Sequence, residues 1–153
     1  MTVKDLANFD VKACSPDTDL ASAAKIMWDC DCGVVPVVND ERKVVGMVTD
    51  RDICIAAATR ASRPSDVRVR DVMSRDVASC KSGDDADAAL KTMKQHRVRR
   101  LPVLDAEGRL AGIISMNDFV MRVECRPKAD VSGEVFLDAL KAICAHTREA
   151  VSA

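Results

Sequence analysis

The chain has 153 residues, with 23 basic and 24 acidic side chains, so its formal net charge at pH 7 is −1. This balance excludes a general electrostatic attraction to nucleic acid or to an anionic membrane, and any anion site must therefore be local. No apolar run approaches the roughly 20 residues of a membrane span, and the first residues lack the pattern of a signal peptide. We therefore expect a cytoplasmic protein with no membrane and no nucleic-acid partner.

Seven cysteines occur without a paired spacing. An odd number in a chain expected to be cytoplasmic favours reduced thiols that pack as small hydrophobic side chains. Cys30 and Cys32 stand too close together for the usual zinc spacing, and the chain has only two histidines, so we predict no metal site. A redox or disulfide role stays open for Cys14, Cys30 or Cys32.

The first predicted elements are a short turn at residues 2–6, a brief β segment at residues 11–13 and an amphipathic helix that follows residues 17–19. The helix is indicated by apolar residues at helical spacing, which are Leu20, Ala23, Ala24 and Met27. Two apolar runs separated by a polar turn, residues 34–38 and residues 44–48, then predict a β-hairpin. A second helix begins at Thr49.

The same pattern returns 66 positions later, without a gap, over about fifty residues. The offset pairs Cys14 with Cys80 and Pro36 with Pro102, and further matched pairs are Asp5 with Asp71, Met27 with Met93, Gly46 with Gly112, Thr49 with Ser115 and Asp52 with Asp118. A register kept over this distance does not arise by chance. The chain therefore contains two copies of one β-α-β-β-α unit.

One such unit is too small to cover both faces of its sheet, so we expect the two copies to pack together about an approximate two-fold axis. The predicted fold class is α/β, more specifically α+β. The predicted organisation is a first repeat at residues 1–60, a polar linker at 61–68, a second repeat at 69–124 and a tail at 125–153. The tail contains a helix from about Gly133 to Thr147. Because proline donates no ladder hydrogen bond, Pro36 and Pro102 predict an edge strand or a bulge.

The stretch Thr49-Asp50-Arg51-Asp52 lies where a strand passes into a helix, and Ser115 to Asp118 repeats it. A hydroxyl followed three residues later by an acid is typical of a helix capping box. The exposed amides and positive dipole end of a helix start also suit a phosphate. Both interpretations stay open from the residues alone.

The duplicated pattern resembles the tandem form of the cystathionine-β-synthase (CBS) domain over roughly residues 3–123. The resemblance is carried by the strands around Pro36 and Pro102, and by the Gly-x-(Val/Ile)-(Thr/Ser)-x-x-Asp stretches that begin at Gly46 and Gly112. It implies a module with two clefts between the repeats, which commonly bind AMP, ADP, ATP, NAD or S-adenosylmethionine. It also implies frequent assembly into homodimers.

By residue match, the resemblance assigns roles to individual side chains. Asp52 and Asp118 would bind ribose hydroxyls. The phosphate contacts would come from the hydroxyls and cations of Thr49, Ser115, Arg51, Arg99 and Arg100, and the adenine walls from Val11, Pro36, Val77 and Pro102. The copies differ, since Gly33 and Val34 stand where the second copy has Arg99 and Arg100, so their phosphate affinities should differ. Which cleft would be filled stays open.

The leading hypothesis is a stand-alone regulatory module that binds an adenine nucleotide and signals to an unidentified protein target by a conformational or oligomeric change. The alternative is a structural or redox-linked stress protein with the same fold and no nucleotide. We predict no enzyme activity, because no Ser, Cys or carboxylate has a recognisable base and orienting partner in the sequence.

Overall fold

The computed structural model describes residues 1–121 and 133–144. Within these residues the helices and strands are α1 (Leu20–Asp29), β1 (Val34–Val38), β2 (Val44–Thr49), α2 (Asp50–Thr59), β3 (Cys80–Lys81), α3 (Ala86–His96), β4 (Arg100–Leu104), β5 (Leu110–Ser115), α4 (Met116–Val120) and α5 (Gly133–Cys144). Short 3-10 turns cover Val3–Asp5, Pro64–Asp66 and Val69–Asp71. The repeated order of a helix, two strands and a helix confirms the α+β prediction.

The described residues form two compact units that do not coincide with the two repeats. Unit 1 contains Met1–Phe9, Ala78–Val103 and the described residues from Gly112 onward, and unit 2 contains Asp10–Val77 and Leu104–Ala111. The lead-in segment of each repeat therefore belongs to the unit that holds most of the other repeat. Sequence similarity marks where the copies begin, but it does not show which copy a lead-in packs on.

Backbone pairing fixes each exchanged lead-in in the same way. In unit 1, Asn8 pairs with Ile113 of β5 through two hydrogen bonds of 2.9 Å. In unit 2, Ser74 pairs with Met47 of β2, again through two hydrogen bonds of 2.9 Å. Asn8 and Ser74 are matched positions of the two repeats, and so are Met47 and Ile113. The two exchanges are therefore reciprocal.

The strands bear out the predicted hairpin and correct two details. β1 and β2 are antiparallel, with a register shift between Val37 and Val38. β4 lies between β3 and β5, so the expectation of an edge strand at Pro102 is wrong. The proline is tolerated because β3 is only two residues long and needs few ladder hydrogen bonds. The brief β segments expected at residues 11–13 and 77–79 also begin later, with a bridge at Cys14 and with β3 at Cys80.

Each unit has its own aliphatic core. Unit 2 buries Leu20, Met27, Val37 and Val48, which are the apolar positions of α1 and the hairpin. Unit 1 buries the matching positions of the second repeat together with Phe119, which is its largest fully buried side chain. The helix and strand periodicities of the sequence thus predict which residues form these cores.

Helix α5 covers the core of unit 1 and packs on α3. Its apolar face consists of Val135, Phe136, Ala139, Leu140 and Ile143, and Asp138 pairs with Lys94 of α3. The tail helix was predicted to extend to Thr147, and residues 145–147 lie outside the described residues. Among the described helices, none has the length and apolar character to cross a bilayer.

Two of the cysteines are core residues. Cys14 and Cys80 are buried, and burial raises the pKa of the Cys14 thiol to about 11 and that of the Cys80 thiol to about 12. The thiolate is the nucleophilic form, so both side chains should be inert near neutral pH. This burial argues against the redox role that the sequence left open for Cys14.

We expect a thiol-reactive disulfide reagent at pH 8 to modify the exposed Cys30, Cys54 and Cys144 within minutes, and to modify Cys14 and Cys80 only after unfolding. At that pH the thiolate fraction of a group with a pKa near 11 is about 0.1 %. Mass mapping of labelled peptides before and after addition of denaturant measures this difference. Rapid labelling of Cys14 or Cys80 in the native protein would contradict the buried placement.

Candidate functional site

The first candidate site lies at the junction of β2 and α2. The backbone N–H and the hydroxyl of Thr49 both donate hydrogen bonds to Oδ2 of Asp52, at 2.9 and 2.7 Å. The Asp52 N–H donates in return to Thr49 Oγ1 at 3.2 Å. These contacts form a capping box that fixes where α2 begins, so the capping interpretation is correct here.

The junction of β5 and α4 has the same arrangement. The Ser115 N–H and hydroxyl both donate to Oδ2 of Asp118, each at 2.7 Å. In both copies the cap uses a single carboxylate oxygen. Within the described residues, no hydrogen bond reaches Oδ1 of Asp52 or Asp118, and both side chains are half-buried. Each carboxylate therefore keeps one oxygen that can accept hydrogen bonds from a ligand.

The two junctions differ in the backbone amides of the first helical turn. In α2, the Asp50 N–H donates to the Gly33 carbonyl at 3.2 Å, and the Arg51 N–H donates to the Asp50 carboxylate at 2.7 Å. A carboxylate of the protein thus occupies the place that an anion would take at this helix start. This role of Asp50 was not among the sequence predictions, although an acid directly after the N-cap is a visible signal for it.

The second junction carries no such acid. The Met116 N–H donates to the Arg99 carbonyl at 2.9 Å, which is the counterpart of the Gly33 contact. Met116 replaces Asp50, and within residues 1–121 and 133–144 the next amide, that of Asn117, has no partner. This junction therefore offers an unclaimed backbone donor and has no acid at the position of Asp50.

The cations predicted for phosphate lie at the expected elements. Arg51 is an exposed residue in the first turn of α2, Arg99 is exposed beside the start of α4, and Arg100 is the half-buried first residue of β4. Ion pairs to these three side chains are absent from the described part of the chain. Arg99 and Arg100 belong to unit 1, as the second junction does, and Arg51 belongs to unit 2.

The residues predicted as adenine walls are only partly brought together. Pro36 and Pro102 are buried within their strands, while Val11 and Val77 are half-buried. Val11 and Pro36 belong to unit 2 together with Asp52. Val77 also belongs to unit 2, whereas Pro102 and Asp118 belong to unit 1.

Metal binding and nucleophilic catalysis are the other kinds of chemistry that the described residues could support. They include no group of three or more His, Cys, Asp or Glu side chains that could hold a metal ion. The hydroxyls of Thr49 and Ser115 donate to a neighbouring carboxylate, and neither contacts a histidine or a lysine. The arrangement at each junction is therefore suited to hydrogen bonding with a ligand.

The family model of the CBS domain matches residues 3–58 and residues 69–124. The chain belongs to the CBS-domain family. Among curated proteins, this CBS chain is 33% identical over 120 residues to the CBS domain-containing protein YhcV of Bacillus subtilis, covering 78% of the chain and 84% of YhcV. It is 37% identical over 113 residues to inosine-5′-monophosphate dehydrogenase of Methanocaldococcus jannaschii, covering 74% of the chain. The chain spans only 22% of the length of that enzyme.

Solved structures share the fold of this CBS chain. The CBS domain protein TA0289 of Thermoplasma acidophilum, of unknown function, has a TM-score of 0.76 and 25% identity, covering 93% of the chain and 75% of TA0289. The CBS domain pair of MJ0100, with 5′-methylthioadenosine and S-adenosyl-L-methionine, has a TM-score of 0.71 and 24% identity, covering 79% and 94%. CBSX2 of Arabidopsis thaliana, in complex with AMP, has a TM-score of 0.64 and 24% identity, covering 78% and 93%.

Proposed function

We propose that this chain is a regulatory module that binds an adenine nucleotide, with the junction of β5 and α4 as its phosphate-binding site. The observation that carries the proposal is the difference between the two helix starts. Asp50 occupies the second amide of α2, whereas the corresponding amide of α4 has no partner in the described residues. AMP, ADP, ATP, NAD and S-adenosylmethionine remain candidate ligands, and AMP, which has a single phosphate, is the simplest probe of the phosphate site.

The ribose assignment is supported by the uncommitted oxygen of each carboxylate. A carboxylate is an acceptor with two oxygens, and hydrogen bonds to it are stronger than those between neutral groups. Asp118 keeps its cap through Oδ2 and can still accept from two neighbouring ribose hydroxyls through Oδ1. The same reasoning applies to Asp52.

The phosphate assignment is supported by charge. Arg99 and Arg100 lie at the start of β4, and the Arg99 carbonyl accepts a hydrogen bond from the first residue of α4. Guanidinium groups bind phosphate with two parallel hydrogen bonds. The Ser115 hydroxyl now donates to Asp118, so it would have to rotate before it could donate to a phosphate.

The junction of β2 and α2 is better suited to an adenosine derivative without a phosphate. A phosphate placed there would meet the Asp50 carboxylate, and like charges at short distance repel. Arg51 offsets this repulsion only in part, because it is exposed and screened by solvent. 5′-Methylthioadenosine and S-adenosyl-L-methionine, which the MJ0100 pair binds, are ligands of this kind.

Regulation requires that the ligand bind one conformation of the module more tightly than another. The family resemblance suggests a homodimer, and the proposal also includes a separate, unidentified protein target that would respond to the ligand. We propose no catalytic role, since the likeness to the dehydrogenase covers only 22% of that enzyme.

Titration calorimetry of the protein, stripped of bound nucleotide by reversible unfolding, tests the proposal with AMP and with 5′-methylthioadenosine. We expect one AMP per chain, with an affinity that falls as salt concentration rises, and a separate site for 5′-methylthioadenosine whose affinity responds little to salt. No heat and no thermal shift with either ligand at millimolar concentration would overturn the proposal. That result would favour a structural or redox-linked role.

A further inference from the structure

Cys30 and Cys32 flank the turn that ends helix α1. The Cys32 N–H donates to the Met27 carbonyl at 2.9 Å, and the Asp31 N–H donates to the Trp28 carbonyl at 3.3 Å. Asp31 has a φ of 48°. These three features define a Schellman turn, in which the residue after the helix takes the left-handed conformation.

This turn brings the two cysteine backbones within disulfide range. When a residue adopts helical dihedral angles of either hand, the Cα atoms on its two sides lie about 5.4 Å apart. Disulfides usually join Cα atoms separated by about 4.4 to 6.8 Å. Cys30 is exposed and Cys32 is half-buried, and both are free thiols.

The second repeat has the same turn without the thiols. Arg97 takes a φ of 54°, and the Val98 N–H donates to the Met93 carbonyl at 3.0 Å. His96 and Val98 stand at the positions that match Cys30 and Cys32. The turn therefore forms without cysteines, so their presence in the first repeat is not a requirement of the backbone.

The Cys32 side chain is connected to the first candidate site. Its S–H donates to the Val34 carbonyl at 3.3 Å, and Val34 pairs with Thr49 across β1 and β2. The intervening Gly33 accepts the hydrogen bond of Asp50 and packs so closely that a Cβ there would lie 2.8 Å from Asp50 Oδ2. A change in the position of the Cys32 sulfur therefore acts on the segment that supports the start of α2.

We propose that Cys30 and Cys32 form a reversible dithiol–disulfide site that reacts with low-molecular-weight disulfides. The exposed Cys30 thiolate attacks one sulfur of the disulfide, forms a mixed disulfide and releases the first thiolate. The Cys32 thiolate then attacks the Cys30 sulfur, forms the intramolecular bond and releases the second thiolate. Two electrons pass to the reagent, and the two protons of the cysteines end on the two released thiols.

Such a bond closes a very short loop, so it adds little stability and is easily reduced again. It also removes the S–H donor of the Val34 contact, because the sulfur of a disulfide carries no proton. Oxidation therefore removes one hydrogen bond to the Val34 carbonyl, and Val34 pairs with Thr49.

Glutathione disulfide at pH 8, followed by alkylation and trypsin, tests the site directly. Trypsin releases residues 26–42 as one peptide that contains Cys30 and Cys32 and no other cysteine. We expect this peptide to resist alkylation, to be lighter by two hydrogen atoms, and to regain both thiols after dithiothreitol. The matched variant Cys32→Ser should instead retain glutathione on Cys30. Alkylation of both cysteines in the treated wild type, or stable glutathione on Cys30, would overturn the proposal.

Trp28 provides a second measurement, because it is the only tryptophan of the chain and is 84% exposed. It lies two residues before Cys30, and its fluorescence should change on oxidation and recover on reduction in the wild type but not in Cys30→Ser. An unchanged spectrum in a protein whose peptide shows the bond would contradict the proposal that oxidation changes the structure around this turn.

The effect on ligand binding rests on the proposed function. We expect oxidation to weaken the binding of 5′-methylthioadenosine on the order of fivefold or more, which is the lower range of measured couplings between sites. The affinity for AMP should not change. If the reduced protein binds neither ligand, the proposed function fails while the peptide mass still decides the disulfide. If ligand affinities are equal in both redox states, the coupling to Thr49 is refuted.

Discussion

Replacing Gly112 with alanine should lower the free energy of unfolding by about 2 kcal/mol, the middle of the range for overpacked sites. A Cβ at Gly112 would lie 2.7 Å from the Asn8 carbonyl oxygen and 3.0 Å from the Phe9 ring. The carbonyl cannot turn away, because Asn8 and Ile113 exchange two backbone hydrogen bonds of 2.9 Å. Urea unfolding monitored by circular dichroism measures the change, with the midpoint lowered and the slope retained.

Two other glycines calibrate this result. At Gly46 the Cβ would meet the flexible Met73 side chain at 2.6 Å and the Ser74 carbonyl at 3.0 Å, so the loss of stability should be smaller. At Gly83 no atom lies within 4 Å, so Gly83→Ala is the matched control and should change the midpoint little. An equal midpoint for Gly112→Ala and Gly83→Ala would show that the lead-in does not cross β5 as described.

Replacing Asp118 with alanine should weaken AMP binding by about 10- to 100-fold, which corresponds to the loss of one or two hydrogen bonds to a charged acceptor. The variant removes the carboxylate oxygen that the cap leaves unused. Calorimetry with AMP measures the affinity, and the thermal unfolding of the ligand-free protein measures how much stability the lost cap removes.

Asp118→Asn separates the two roles of this residue. Its amide retains one oxygen that can accept the Ser115 N–H, while the second position becomes a donor that cannot accept from ribose. We expect near-normal folding with weak AMP binding. Asp52→Ala is the matched control in the other unit. It should leave the affinity for AMP unchanged and weaken the binding of 5′-methylthioadenosine. Equal AMP binding by the wild type, Asp118→Asn and Asp118→Ala would exclude the ribose assignment.

Much of the fold could be predicted because its signals are local. Apolar spacing identified α1, α3 and the β1–β2 hairpin, and hydroxyl and acid three residues apart identified the starts of α2 and α4. The fixed 66-residue offset then required the second copy to repeat the first. These inferences depend on side-chain periodicity and on caps, which act within a few residues of the chain.

The remaining features depend on contacts between distant segments. The lead-in Met1–Phe9 packs with β5 because Gly112 leaves room for Asn8 there, and neither residue shows this on its own. The central position of β4 likewise depends on its pairing with the two-residue strand β3, which periodicity does not reveal. The repeat paired Val77 with Val11 and Pro102 with Pro36 as adenine walls, but it did not show that Val77 and Pro102 belong to different compact units.

The candidate site shows the same division. Sequence matching identified Asp52, Asp118 and their hydroxyl partners, and the structure joins each pair as a cap. Sequence matching left open which copy suits a phosphate, because the answer depends on where the Asp50 carboxylate points. The acid directly after the N-cap hinted at the contact between Asp50 and the Arg51 amide, and this contact supports assigning the phosphate to the second copy.

The reciprocal pairing of Asn8 with Ile113 and of Ser74 with Met47 bears on how such a chain could have originated. A half-length ancestor with a single repeat would have had its own lead-in segment but no second hairpin for that segment to pair with. Two identical molecules could have exchanged these segments, so that each lead-in paired with the hairpin of the other molecule. Gene duplication followed by fusion would then have turned an exchange between two polypeptides into an exchange within one chain. After fusion, the sequences of the two halves could diverge.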